Sequence, residues 1–253
     1  MAKTTDIIRA LNEKLGIDNF SDVSNNGLQV EMNRQEIHRV CTGVDATLPF
    51  FEAAAAKGAD LVICHHGISW GDSLKRITGL NYRIIRSLLE KNIGLYGCHL
   101  PLDAHPELGN NAQIAFSLGL QNLKPFGFYH GQAIGFYGEL QRPVSRNDFE
   151  ALVSDKINKD LKKAAFGKET VRTVGVISGG GAFALSEAIE NDLDAFLTGE
   201  LDLPTYNEAL QVGANMYAAG HYATERFGVK AVGAWLERTF GIEHIFIDFN
   251  LPY

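Results

Sequence analysis

The sequence predicts an α/β protein in which mostly parallel mixed sheets flanked by helices are built twice over. Three observations carry this expectation. Short apolar runs alternate with amphipathic stretches, the alternation restarts midway along the chain, and the composition is that of an ordinary globular protein. HRVCTGV (38–44), ADLVICH (59–65) and IGLYGC (93–98) are strand-like, and 48–57, 80–91 and 110–118 are helix-like. Strands alternating with helical stretches mark a parallel sheet covered by helices. QNLKPFGFYHG follows as an aromatic linker over 121–131. AIGFYGEL (133–140) is expected as a strand and 145–157 as a helix capped by Ser145. TVGVIS (173–178), DAFLTG (194–199), NMYAAG (215–220) and HIFIDF (244–249) complete the strands. The opening MAKTTDIIRALNEKLG predicts a helix capped near Thr4 or Thr5.

The restart extends to polar positions. RVCTGVDATLPFFEAAAAKGADLVICHHG and RTVGVISGGGAFALSEAIENDLDAFLTGE both run from an arginine through a strand, a turn and a helix. Each then reaches an acidic residue and an apolar strand with a polar end. IGLYGCHLPLD and NMYAAGHYATE then match His99 and Asp103 with His221 and Glu225. The pattern predicts a duplication, with repeats over 1–124 and 125–253.

Composition narrows the function classes. With 253 residues, 45% hydrophobic and 21% charged, the chain is neither disordered nor collagenous, and three cysteines make no disulfide scaffold. A net charge of −7 disfavours a general nucleic-acid binder. No apolar run approaches the ~18 residues of a membrane span, and no signal-peptide core opens the chain, so a cytoplasmic protein without membrane partners is expected. Cys41, Cys64 and Cys98 lack CxxC spacing and are expected as reduced core thiols.

Four histidines fall at strand ends, where open α/β sheets bind ligands. His65 and His66 are adjacent and, on a regular strand, point to opposite sides. His221 and Glu225 lie i and i+4 on a helix and share a face. His99 and Asp103 have the same spacing, but Pro101 between them predicts a turn. Imidazole plus carboxylate without thiolate suits divalent Zn, Mn, Fe, Co or Ni. Two such ions ~3.5–4 Å apart form the two-metal arrangement of hydrolases. His38, His105, His130 and His244 stand outside the pattern, although His105 is close enough in sequence to support Asp103. Gly179-x-Gly181-x-x-Ala184, with Glu200 about twenty residues on, superficially fits a dinucleotide fingerprint but does not open the first βαβ unit. The amides of Gly179, Gly180 and Gly181 are either a substrate-phosphate subsite or a plain tight turn.

NNGLQV (25–30), GVDAT (43–47), ADLVICHHG (59–67), GCHLPLDAHPELGNN (97–111), DAFLTGE (194–200) and GHYATE (220–225) together resemble the GTP cyclohydrolase I type 2 homologue family, the NIF-three-like dinuclear-metal proteins. The resemblance covers essentially the whole chain. It implies that the two repeats are intertwined and that two divalent ions bind per chain. His65 and Asp103 would hold one, His66 and His221 the other, with Glu225 bridging and His99 lining the site in a catalytic role. It further implies a ring-shaped homo-hexamer and hydrolytic opening of the guanine imidazole ring of GTP by metal-bound hydroxide. Phosphoester hydrolysis at the same two metals and a non-catalytic metal-binding scaffold remain the alternatives. Many family members have proline after the histidine pair; Gly67 stands there in this chain.

Overall fold

The structure is a computed structural model and describes residues 2–253. The elements run β1 (Ala2–Lys3), α1 (Thr4–Leu15), β2 (Gly27–Val30), β3 (Glu36–Ile37), β4 (Arg39–Asp45), α2 (Leu48–Ala56), β5 (Leu61–His66), α3 (Gly79–Lys91), β6 (Gly94–Gly97) and α4 (Leu100–Asp103). Then come α5 (Asn110–Ser117), β7 (Leu120–Tyr129), β8 (Gln132–Ser145), α6 (Arg146–Lys156), β9 (Lys162–Ala165), β10 (Thr170–Val176), α7 (Leu185–Glu190), β11 (Ala195–Thr198), α8 (Leu203–Val212), β12 (Asn215–Ala218), α9 (His221–Phe240) and β13 (Glu243–Phe246).

Two compact units emerge, 2–102 with 228–249, and 103–227 with 250–253. The expected boundary at 124/125 is therefore corrected. Asp103 opens the second unit, and the chain returns to the first through α9, because β13 pairs with β4.

The first unit holds a five-stranded sheet of order β13-β4-β5-β6-β2, parallel except for β2. Its central strand, LVICHH, is buried from Leu61 through His65, as an unbroken apolar run in a parallel sheet should be. Phe50, Phe51 and Ala54 of α2 pack with Cys41, Val62, Leu88 and Leu95. Gly43 permits this contact, since a Cβ there would collide with the Phe50 ring. The second unit holds a six-stranded sheet of order β7-β8-β10-β11-β12-β9, with Val174, Val176, Leu197 and Tyr217 packed against Phe149 and Val153 of α6.

One device appears in both sheets. A carboxylate oxygen of Asp60 accepts the N–H groups of His38 and Arg39, where β4 begins. A carboxylate oxygen of Asp194 accepts those of Arg172 and Thr173 in β10. Both aspartates directly precede or enter the next parallel strand, so each ties two neighbouring strands together at their N-terminal ends. The matching arginines and acids of the two halves thus do the same structural job.

Three local expectations are corrected. Residues 121–131 are no linker: β7 and β8 form a hairpin whose two loop residues, His130 and Gly131, both have positive φ (49° and 81°), as a type I′ turn requires. Pro125 is tolerated because β7 is an edge strand. Helix α1 has Lys3, not a threonine, at its N-cap, and the Thr4 hydroxyl instead donates to the Arg34 carbonyl. Pro101 does not prevent a helix; it lies in the short α4, in a first turn where proline needs no donor. Ser145 does cap α6, accepting from Asp148 N. No described helix is long and apolar enough to cross a membrane.

His244 is expected to make the first unit acid-sensitive. Its Nε2 lies 2.9 Å from the Thr42 hydroxyl, its ring packs over Gly233, and burial lowers its pKa below the ordinary imidazole value. The neutral form is favoured in the fold, so this stabilisation is complete above about pH 6.5 and declines as pH falls through the lowered folded value. His244→Gln should narrow the loss of stability between pH 7.5 and 5, measured by urea unfolding at each pH. An unchanged loss would remove His244 from that role.

Candidate metal centre

In the first unit, β5 ends in His65 and His66. The expectation that the rings point apart is overturned, for their centroids lie 4.8 Å apart. The strand stops at His66, and beyond its end the two rings are steered by separate anchors. His65, fully buried, donates Nδ1–H to the Cys98 carbonyl at 3.0 Å. His66 donates Nδ1–H to Asp45 Oδ1 at 2.8 Å. His99 joins them, its ring centroid 5.2 and 5.8 Å from those of His65 and His66. Its Nδ1–H points at Asp22, 3.0 Å from Oδ1.

Asp22 gathers several donors. It accepts from His99 Nδ1, Asn26 Nδ2, Leu100 N and Ser24 N, and its side chain is 1% exposed. Burial pushes its pKa up, but the His99 and Asn26 hydrogen bonds outweigh this and hold it well below the usual carboxylate range. Trp70 stands edge-on to His99 with centroids 5.0 Å apart, its indole N–H donated to the Gly67 carbonyl.

In the second unit, Asp103 is buried, and its Oδ1 accepts from Asn110 Nδ2 and the Ser178 hydroxyl, each at 2.9 Å. Asn111 donates to the Ile134 carbonyl and accepts from Ser178 N, which fixes the segment carrying Ser178. At the start of α9, His221 Nε2 lies 3.1 Å from Glu225 Oε1, and His221 Nδ1–H is donated to Glu200 Oε1 at 2.6 Å. Helical i, i+4 spacing makes the first contact, and the end of β11 supplies the second. The Glu225 hydrogen bond, partly opposed by burial and aided by Glu200, raises the His221 pKa to about 9. Any cation taken up by this nitrogen must displace that proton.

The glycine run separates into distinct roles. Gly179 N is donated to Thr224 Oγ1 and Gly181 N to Thr198 Oγ1, so two of the three candidate phosphate-binding amides are already engaged. The following α helix is a six-residue segment reached through a 3-10 turn. This geometry favours a turn over a phosphate cradle. Gly179 matters for space: at φ 60°, a Cβ there would fall against Glu225 Oε1 and His221 Nε2.

Sequence reasoning passed over Asp22, Asp45 and Glu200 as anchors of His99, His66 and His221. Asp45 and Glu200 were visible as the acids ending GVD and LTGE; Asp22, in SDVSNNG, carries no periodic signal. His105 lies in the loop after α4, where its Nδ1 accepts from Glu107 N and Leu108 N. His38 is exposed beside Glu36, and His130 occupies the hairpin loop. All three cysteines are buried, and no disulfide joins them among the described residues. Burial pushes the Cys64 thiol well above its ordinary pKa and Cys41 up to about 11, which disfavours the thiolate a metal would need.

Residues 2–252 match the Duf34/NIF3 family (NGG1p interacting factor 3). The chain is 41% identical over 244 residues to the GTP cyclohydrolase 1 type 2 homolog of Deinococcus radiodurans, covering 96% of this chain and 92% of that one. It is 40% identical to the homolog of the same name from Archaeoglobus fulgidus, covering 96% of both. The crystal structure of TTHA1606 from Thermus thermophilus superposes with a TM-score of 0.91 at 33% identity over the full length of both chains. With whole-length agreement in both sequence and fold, the chain belongs to the Duf34/NIF3 family.

Proposed function

We propose that this protein is a metal-dependent hydrolase, with two divalent ions held by His65, His66, Asp103, His221 and Glu225, and that its substrate is a guanine nucleotide opened as in GTP cyclohydrolase chemistry. One observation carries the reading. His65, His66 and His221 each donate Nδ1–H to a carbonyl or carboxylate, from Cys98, Asp45 and Glu200 respectively. Metal-ligating imidazoles are held in this way, because the anchor fixes the tautomer, aims Nε2 and raises its basicity. The donor set fits late first-row ions, and the missing Cβ of Gly179 keeps the space beside His221 and Glu225 open.

Ions bound there would polarise a carbonyl or phosphoryl oxygen and acidify a water molecule. The chain's own part is positioning. Ser178 and Asn110 hold Asp103, Glu200 holds His221, and Trp70 shields one side of the imidazoles at the end of β5. The names carried by the relatives support the guanine nucleotide as the substrate to test first.

The test is metal analysis of protein purified without chelator, followed by a panel of nucleotides and phosphoesters with the same sample. Two ions per chain and formate release from GTP are expected. His66→Ala should lose one ion and at least about 100-fold in turnover. Retention of both ions by that variant would sink the ligand assignment. Turnover confined to phosphoesters would replace the guanine reading, and a metal-loaded protein inert toward the whole panel would end the hydrolase reading.

A further inference from the structure

We infer that the second unit carries a recognition pocket for a purine base with two neighbouring hydrogen-bond donors, the edge that guanine presents through N1–H and its 2-amino group. The inference rests on the guanine-nucleotide reading above and adds the residues that choose the base, none of which is a proposed metal ligand. A cavity of about 640 Å³ opens where the parallel strands β10, β11 and β12 end. Open α/β sheets bind ligands at that end, and the volume falls within the roughly 300–1,000 Å³ of small-molecule sites. Its walls come from the loops after those three strands, from the start of β9 and from Pro252 and Tyr253. The Tyr253 carbonyl accepts Tyr222 N at 3.0 Å, which holds that wall against the first turn of α9.

The lining decides what fits. It carries the carboxylates of Asp160, Glu200 and Asp202 against a single ammonium, that of Lys162. Such a lining repels a triphosphate and attracts the donor edge of an uncharged base. Glu200 gives Oε1 to His221, and Asp202 gives Oδ1 to the amide and hydroxyl of Thr205, so each keeps a second oxygen for a ligand. Two acceptors in one cavity call for two neighbouring donors. Guanine supplies them, whereas adenine would set the lone pair of its N1 against a carboxylate. Phe183, 47% exposed, and Tyr253 add the aromatic surface on which a base stacks.

The experiment measures nucleoside binding to the full chain by equilibrium dialysis. Guanosine is the probe, so that neither phosphate nor turnover enters the readout. Guanosine should bind, and inosine, which lacks the 2-amino group, should bind about 10-fold more weakly, with adenosine weaker still. Asp202→Asn retains Oδ1 for the cap of α8 but puts an N–H₂ in the place of Oδ2. It should weaken guanosine about 10-fold and strengthen xanthosine, whose carbonyl at position 2 accepts that N–H₂, so that the preference inverts. Phe183→Ala should weaken every purine nucleoside at least about 5-fold while keeping their order. Circular dichroism and metal analysis should show both variants folded and with unaltered metal content.

Equal affinity for guanosine, inosine and adenosine, or an unchanged order of affinities in Asp202→Asn, would overturn the inference. Agmatine binding more tightly than guanosine would make the cavity a guanidinium site and overturn the base reading. If the protein hydrolyses GTP but binds no guanosine, the pocket is wrong and the hydrolase reading stands. If it binds guanosine selectively and is inert toward GTP, the pocket stands and GTP falls as the substrate.

Discussion

Gly179→Val is expected to produce the largest single loss in the second unit, in both stability and metal content. Gly179 has φ 60°, where a residue bearing a Cβ is strained by about 1–2 kcal/mol. The new atoms would also enter the space occupied by Glu225 Oε1 and His221 Nε2. On the other side, Gly199 approaches so closely that its N–H is donated to the Gly179 carbonyl at 3.0 Å, so the backbone has little room to retreat. Overpacking of this kind adds about 1–3 kcal/mol. Urea unfolding should show a total of about 2–5 kcal/mol, and metal analysis should show the loss of an ion. Gly180→Ala is the control. Gly180 has φ −79°, and its Cβ would meet only Glu200 Oε2, at 3.8 Å. It should change neither quantity appreciably. Equal damage from both substitutions would mean that the run matters as a flexible turn and that the space beside Glu225 is irrelevant.

Asp22→Ala should destabilise the first unit by about 3–5 kcal/mol, because it leaves donors that all converge on one buried carboxylate without their acceptor. Asp22→Asn keeps the shape but loses the charge and presents an N–H₂ to groups that are themselves donors, so about 2–3 kcal/mol is expected. The pH dependence has a definite sign. The folded pKa lies below the unfolded value near 3.8, so the ionised carboxylate stabilises fully above the unfolded value and its contribution is lost as pH falls below it. Urea unfolding should therefore show the gap between the unaltered protein and Asp22→Asn narrowing from pH 6 to pH 3. A constant gap would assign the cost to packing.

The repeating half of the architecture was legible because its signals are local. Strands β4, β5, β6, β10, β11 and β12 are apolar runs with turn residues at their ends, and Asp60 and Asp194 keep their places in both copies. The hairpin of β7 and β8 was obscured because Pro125 and Gly127 suggest a loop, and only pairing along one edge of the sheet overrides that suggestion. The division into units was misplaced because the partnership of β13 with β4 is a long-range choice that no local pattern reveals. At the site, residue types and spacing exposed the histidines and carboxylates. Which ring each acid anchors depends on side-chain rotation, so Asp22 stayed hidden, and the two rings of β5 converge where strand alternation predicted divergence.

The return of the chain from residue 228 to residue 249 into the first unit has a consequence for biosynthesis. Until β13 leaves the ribosome, β4 is an open edge strand bearing the unsatisfied amides and carbonyls of Val40 through Thr42. At about 5–20 residues per second, the delay between residue 102 and residue 246 is roughly 7–30 s. The half that is translated first is thus finished last, and a nascent chain stalled short of β13 would offer that bare edge to aggregation or to chaperone capture.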